Sequence, residues 1–436
     1  MNERVKQMLL MKRPIAEICD VIAKYLMKKY HFLSIDSNAR INDIFAYQDG
    51  IYLITGRIII KQECEKILGS FIKTNMVNEI INKIERNTYV DRSIFIRTPL
   101  NLICFNNGIL NLKTKELLPH SPDMIFRNKI PVYYNKDKLC HIFLSFLEET
   151  LNEKDLIVCQ EWFGYLLWRQ YHEKKALVCI GPTDTGKTVF LSTIINFMGI
   201  ENISTIDLHE ISKDKFATEV LYNKFSNIND ELTSDDLKDV SKFKKLTGRS
   251  NLTAEPKFKD KFTFESFAKL IFATNKMPIL YKTIEDPESY YNRWIIFLFD
   301  NKIEENQKDK NLIEKLKSKS ELSGILNWAL EGLDRLFKNK GFTLNKTWEE
   351  NEQIMKSNGE SVFSFVVKGI EPFDGITNNE IMYEKYCEFC ELNNKIIENN
   401  ITFGRKFKPK IGKRVNDGKN NGWRGIKPKE VLIDIE

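Results

Sequence analysis

Several common signals are missing from this 436-residue chain. No apolar run approaches the roughly 18 residues a membrane-spanning helix needs, so no membrane partner is expected. The first residues, MNERVKQMLLMKRP, carry too much charge and too short an apolar patch for a signal peptide. Histidine is scarce: His31, His120, His141, His172 and His209 share no ligand spacing, so no metal is assigned to them. The eight cysteines are scattered, which reads as a reduced, cytoplasmic protein rather than a disulfide framework. The only close pair is Cys387 and Cys390. A zinc site would need a second pair or nearby histidines, and the C-terminal region has neither, so two half-buried helix cysteines one turn apart are expected. Internal repeats and low-complexity linkers are also lacking.

What remains is an ordinary globular composition, 42% hydrophobic and 29% charged, long enough for two to four domains. The net charge of +6 permits an anionic partner. Residues 3–30 have apolar positions at helical spacing. The stretch FAYQDGIYLITGRIII alternates and carries Asp49-Gly50, a hairpin signal. Helix is expected around 62–85, short strands and turns near 102–122, and two helices over 141–172. From 176 to about 300, short apolar strands alternate with helices, the mark of a parallel α/β domain. Helix returns at 311–336, and a smaller unit from about 358 closes the chain.

Within the α/β part, the strand ALVCI runs into GPTDTGKT, and TVFLSTIINFMG follows as a helix. Gly181, Gly186, Lys187 and Thr188 satisfy G-x-x-x-x-G-K-[ST], and residues Gly181, Pro182, Thr183, Asp184, Thr185, Gly186, Lys187 and Thr188 form the expected phosphate cradle. Glycines let backbone N–H groups turn toward phosphate, Lys187 neutralises the β/γ oxygens, and the Thr188 hydroxyl suits Mg²⁺. About 40 residues on, FSNINDE ends an apolar strand in Asp230 and Glu231. An isolated Asp-Glu pair is usually a solvated turn. Here one carboxylate can hold Mg²⁺ through water and the other can polarise an attacking water. KLIFATNKMP delivers Asn275 at a strand's end, where an amide can orient that water. Arg293, just before WIIFLFD, can meet the charge that builds in phosphoryl transfer. The bland alternatives are a turn residue and a surface arginine.

Two basic segments stand apart. In AEPKFKDKF, Lys257, Lys259 and Lys261 alternate with Phe258 and Phe262 around a turn, a hairpin whose lysines suit phosphates and whose aromatics suit bases. A solvated charged hairpin is the alternative. Residues 401–436 hold ten Lys/Arg against four acids, an excess equal to the net charge of the whole chain. ITFGRKFKPKIGKR reads as a helix that Pro409 must kink or end early, and VNDGKNNGWRG as a turn between strands.

These four motifs, in this order, resemble a superfamily 3 helicase, and more narrowly the helicase half of the phage and plasmid primase-helicases, relatives of the poxvirus primase-helicase. The resemblance implies an α/β fold: a P-loop motor of AAA+ type over 141–345, a mixed α/β N-terminal domain over 1–140, and a C-terminal winged helix over 346–436. It implies Lys187 and Thr188 for ATP-Mg²⁺, Asp230 as metal ligand, Glu231 as base, Asn275 as sensor, and Arg293 as a finger given to a neighbouring subunit. It places Lys257, Phe258 and Lys259 at a DNA-contacting hairpin tip and makes Arg405, Lys406, Lys410 and Arg414 duplex-binding residues. Thr183 and Thr185 depart from the family's frequent Gly and Asn. LTGRS stands where the family often has Gly-Gly-Asp, so Arg249 and Ser250 receive no role. The family often carries a primase upstream. Residues 1–140 show no carboxylate and histidine arrangement for nucleotidyl transfer, so a separate primase or replication protein is the expected partner. The implied activity is ATP-dependent unwinding of DNA by a homo-oligomer, a hexameric ring with single-stranded DNA in its channel, inside a host cell. The rivals are an ATP-switched replication initiator without processive unwinding and a small-molecule P-loop kinase, which has no use for the basic hairpin and tail.

Overall fold

Pro14 divides the first helical stretch in two. In the computed structural model of the chain, α1 spans Asn2–Leu10 and α2 spans Ile15–Tyr30, with Pro14 as the residue that caps α2. The structure describes all residues except 37–41, 209, 211–216, 233–240, 255–261, 276, 278–285, 305, 307, 345, 394, 396, 412–413, 417–420 and 431–436; at 96, 217, 409, 410 and 416 it describes the backbone alone. β1 (Leu33–Ile35), β2 (Asp43–Gln48) and β3 (Ile51–Leu53) form an antiparallel sheet. Asp49 and Gly50, at φ 47° and 92°, make the two-residue turn between β2 and β3. The alternation expected through Ile60 stops early, because α3 (Gly56–Leu68) already starts at Gly56. Ile60, Cys64, Ile67 and Leu68 bury one helical face against α2 and α4 (Thr74–Asn87). A short apolar run is ambiguous between the two periods, and packing against these helices decides it.

β4 (Leu102–Phe105), β5 (Gly108–Asn111) and β6 (Leu117–Leu118) form an antiparallel meander. Ile103, Phe105 and Leu110 from it share one large core with α5 (His141–Thr150), α6 (Glu153–Leu166) and α7 (Lys187–Met198). That core covers one face of the central sheet. The sheet comprises β7 (Ala176–Ile180), β8 (Ile203–Ser204), β9 (Ser226–Asn229), β12 (Lys269–Thr274) and β13 (Trp294–Leu298) in the order β13-β7-β12-β9-β8, with every pairing parallel. β7 is apolar throughout because it is buried on both sides. Leu177 and Cys179 face the first core, while Ala176, Val178 and Ile180 face a second. The second core takes Phe243 of α8 (Ser241–Leu246) and Tyr290 of α9 (Pro287–Tyr291). β10 (Asn251–Ala254) and β11 (Phe262–Glu265), among the described residues, pair only with each other, as a separate hairpin.

After β13 come α10 (Leu312–Leu316) and α11 (Lys319–Asn339). α11 crosses α6 at two glycines. A Cβ on Gly164 would lie 2.5 Å from Ala329 O and Leu333 N, and one on Gly332 would collide with the Gln160 carbonyl. Beside the crossing, fully buried Glu161 accepts from Arg335 Nε at 2.8 Å and from Thr343 N and Oγ1 at 2.7 Å. α12 (Trp348–Gly359) packs on the second face of the sheet: Met355 joins that core, and Asn351 Nδ2 donates to Tyr291 O at 3.2 Å and Trp294 O at 3.1 Å.

The last unit runs α13 (Ser361–Lys368), β14 (Ile370–Asn378), α14 (Asn379–Leu392), α15 (Asn400–Ile411), β15 (Arg414–Asn416) and β16 (Asn421–Pro428). Its antiparallel sheet has the order β14-β16-β15. Phe365, Tyr386, Phe389, Phe403, Phe407 and Trp423 form an aromatic core. Cys387 is half-buried and Cys390 buried on α14, one turn apart. α15 ends two residues after Pro409. Among the described residues, no helix is long and apolar enough to cross a membrane.

The glycine crossing makes a direct prediction. Gly332→Ala should destabilise the protein by about 1–3 kcal/mol through overpacking, seen as a lower thermal midpoint in calorimetry. Gly404→Ala, on α15 with nothing within 4 Å of the added Cβ, should leave the midpoint equal or higher. An unchanged midpoint for Gly332→Ala would show that the two helices can separate freely.

Candidate functional site

A parallel sheet gathers the loops that follow its strands along one edge. β7 ends at Ile180, and Gly181–Gly186 carries the chain into α7. Three observations fit this loop to an anion. Gly181 passes so close to Phe299 that any Cβ would collide with its carbonyl oxygen. Gly186, at φ 93°, caps α7 and, having no side chain, makes no capping bond to the first N–H groups of that helix. Lys187 curls back so that Nζ donates to Gly181 O at 2.7 Å and to the Pro182 carbonyl. Burial pushes this ammonium below its ordinary value, and the Cys179 thiol and Asp184 act in the opposite direction. Thr185 is buried and donates to Pro182 O at 3.0 Å, so a threonine closes the loop from inside. Asp184, at φ 65°, pairs with Lys308 at 3.2 Å. Pro182, Thr183 and Thr188 are exposed.

The ends of β9 and β12 lie on this same edge. Thr274 pairs with Ile180, and Phe272 with Asn229. Gly181 N donates to Thr274 O at 3.3 Å, Leu232 N to Ala273 O at 3.0 Å, and Thr274 Oγ1 to Leu232 O at 3.2 Å. Asp230 and Glu231 are exposed between Asn229 and this anchored Leu232, and exposed Asn275 follows Thr274. The loop, the carboxylate pair and the amide therefore share one edge.

Arg293 is on the opposite edge. It precedes Trp294, which pairs with Ala176, the first residue of β7. Five residues of strand, about 16 Å of rise, separate it from the loop. Its Nε and Nη1 are buried with no hydrogen-bond partner among the described residues, and burial lowers its pKa. The sequence reading missed two other cations there. Lys175 Nζ donates to the Asn292 carbonyl and, at 3.3 Å, to Asn292 Oδ1; burial pushes it down to about 8. Lys269 is fully buried, donates to the carbonyls of Trp168, Gln170 and Phe267, and lies 4.5 Å from the Tyr165 ring centre. Burial holds it well below its ordinary value. A lysine inside the apolar stretch AKLIFAT was the available signal.

Asn358 was missed as well. Its Nδ2 donates to Asn275 O at 3.2 Å, and its Oδ1 accepts from Met277 N at 2.6 Å. A contact spanning more than 80 residues leaves no local pattern in the sequence.

Lys257, Phe258 and Lys259 lie outside the described residues, between β10 and β11. Phe262, read with them as part of the basic hairpin, opens β11 next to that turn, and its ring centre is 4.8 Å from that of Tyr222. Arg405 is exposed on α15. Lys406 pairs with Glu398 at 2.6 Å, so a carboxylate of this chain offsets its charge. Lys410 is in the last turn of α15. Arg414 opens β15, donates to Asn421 Oδ1 at 3.2 Å and stands 5.9 Å over the Trp423 ring.

Two family models match the chain. Residues 10–152 match the family described as "D5 N terminal like", and residues 179–293 match one described as "Family of unknown function (DUF5906)". The second span runs from β7 to Arg293. None of the curated proteins matches. Among solved structures, the chain is similar to "The A form apo structure of NrS-1 C terminal region-CTR", with 14% identity, a TM-score of 0.50, and coverage of 89% of this chain and 85% of that one. It is similar also to "The apo structure of NrS-1 C terminal region (305-718)", with 15% identity, TM-score 0.50 and the same coverage. At these identities the likeness is one of fold.

Asn358→Ala removes the acceptor of the Met277 N–H. Amide exchange at Met277 should quicken about tenfold, while exchange at Ile271 in mid-strand stays the same. An unchanged rate at Met277 would show that the bond does not hold this segment.

Proposed function

We propose that this chain is an ATP-driven DNA helicase serving replication of a phage, virus, plasmid or other mobile element. The observation that carries the reading is the sheet order β13-β7-β12-β9-β8, with the loop, the Asp230-Glu231 pair and Asn275 following successive strands onto one edge. A P-loop motor of AAA+ type has this arrangement of parts. The match of residues 10–152 to a family named for the N terminus of D5 supports a replication role. So does the fold-level likeness to the C-terminal region of NrS-1.

The loop fits ATP-Mg²⁺ on the grounds given above: a glycine cradle, uncapped helix N–H groups and a lysine bonded to loop carbonyls. Bound there, ATP would supply the phosphoryl group whose hydrolysis drives the motor, with Mg²⁺ to offset its charge. Lys187 and the N–H groups of the first turn of α7 would hold the β/γ phosphates. Thr188 and Asp230 would hold the metal, Glu231 would accept the proton of the attacking water, and Asn275 would orient that water. Arg293 would serve the site of a neighbouring copy, because its own loop is out of reach. This requires an oligomer, and a hexameric ring around single-stranded DNA satisfies it.

The last unit supports a second DNA surface. Helix, strand, two helices and two strands in that order, with sheet order β14-β16-β15, is the succession of a winged helix. α15 would be its recognition helix, with Arg405 on the exposed face and Arg414 at the start of the wing.

ATPase assays with and without single-stranded DNA test this reading. DNA should stimulate turnover, and a forked duplex should be unwound. Lys187→Ala should abolish turnover, and Glu231→Gln should retain ATP binding while stopping hydrolysis. Normal hydrolysis by Glu231→Gln would remove the assigned base. ATPase activity indifferent to DNA would remove the helicase, and DNA-stimulated ATPase without strand displacement would leave an ATP-switched initiator.

A further inference from the structure

Among the described residues the β10–β11 hairpin has no hydrogen-bonded neighbour in the central sheet, and an isolated two-stranded ribbon is marginal in water. Its orientation must come from side-chain packing. Leu252 and Ala254 are buried on one face, and Thr218 Oγ1 donates to Thr253 O at 2.9 Å. On β11, from the turn end inward, Phe262 and Phe264 set their ring edges against Tyr222, with centroids 4.8 and 5.1 Å away.

Two arginines from outside the α/β motor complete this packing. Arg127, in the loop after β6, stands 5.2 Å over the Tyr222 ring and donates from Nη1 to Tyr222 Oη at 3.1 Å. The same guanidinium lies 4.9 Å from the Phe95 ring and 5.3 Å from Phe45 of β2. Arg92, in the short 3-10 turn Arg92–Ile96, stands 4.9 Å over Phe262. Phe45 and Phe95, then Arg127, Tyr222, Phe262 and Arg92 make one contiguous run of aromatic and cationic groups. It joins the N-terminal region to the turn end of the hairpin's strands. Burial lowers the Arg127 pKa, as expected for a guanidinium enclosed by rings.

We propose that Arg92 and Arg127 are positioning residues: through them the N-terminal region fixes the hairpin and so sets how the motor responds to single-stranded DNA. The DNA part of this statement rests on the helicase reading above, and the positioning part does not. A cation over an aromatic ring contributes energy that depends on the charge. Arg92 is half-buried at the rim, so it can be changed without opening the enclosed Arg127.

The experiment compares Arg92→Met, which keeps an apolar stem without the charge, with Arg92→Lys, which keeps a cation. In Arg92→Met, amide exchange across β10 and β11 should quicken about threefold, and the single-stranded DNA concentration giving half-maximal ATPase stimulation should rise about threefold, the fold-change of one exposed cation–π contact. Basal ATPase rate, KM for ATP and thermal midpoint should match the parent. Arg92→Lys should recover most of both effects. Unchanged exchange in β10 and β11 of Arg92→Met would overturn the proposal, as would an Arg92→Lys variant as impaired as Arg92→Met. If the parent chain shows no DNA-stimulated ATPase, the helicase reading fails separately. Exchange then decides the contact: quickening upholds the positioning role, and an unchanged rate refutes it.

Discussion

The polarity of the central parallel sheet is the constraint on which the site depends. All five strands point the same way, so every loop that follows a strand reaches one edge and every segment that precedes a strand reaches the other. Gly181–Thr188, Asp230, Glu231 and Asn275 follow β7, β9 and β12. Arg293 precedes β13. The register, Trp294 opposite Ala176 and Leu298 opposite Ile180, keeps Arg293 a full strand length from the loop of its own chain. Burial of its Nε and Nη1 with no partner among the described residues means that the guanidinium is held there at a cost. Under the proposed function, that cost is offset when the phosphates of a neighbouring copy meet it.

The units that flank the sheet touch the parts of it that would sense nucleotide and DNA. Asn358, at the end of α12 and just before the C-terminal unit, is bonded on both sides of residue 276, next to Asn275. From the other direction Arg92 reaches Phe262 of the hairpin, and Arg127 reaches the Tyr222 ring on which that phenylalanine packs. These contacts use backbone amides and aromatic faces, not paired charges. Their strength therefore depends little on ionic strength, unlike any contact with a phosphate backbone. Under the proposed function, these joints would hold while the salt-dependent contacts with an anionic strand change.

Much of this was legible in the sequence because it is local. ALVCI preceding GPTDTGKT, FSNI preceding Asp230-Glu231, and KLIFAT preceding Asn275 are short apolar strands followed by polar residues, and the structure has strands at each of them. Asp49-Gly50 marked its turn for the same reason. The sequence misled where one apolar run could satisfy two periods, as when Gly56–Leu68 formed a helix inside an expected strand pattern. It was silent where distant segments meet. Lys269 among the carbonyls of 168, 170 and 267, Asn358 on the backbone of 275 and 277, and the Arg127–Tyr222 stack are products of tertiary packing, with no periodicity to read. Phe262, read as flanking the turn of the basic hairpin, is the first residue after that turn, and its ring packs inward on Tyr222, a contact the local pattern did not announce.

Completion of the phosphate site by a second copy is tested most directly by mixing two inactive variants. Lys187→Ala retains Arg293 to give, and Arg293→Ala retains a loop able to receive it. Each alone should lack ATPase activity. Random one-to-one assemblies should regain about a quarter of the parent rate, because about a quarter of the interfaces then pair an intact Lys187 with an intact Arg293 from the neighbour. No recovery on mixing, or parental turnover by the isolated monomer, would contradict a site shared between copies.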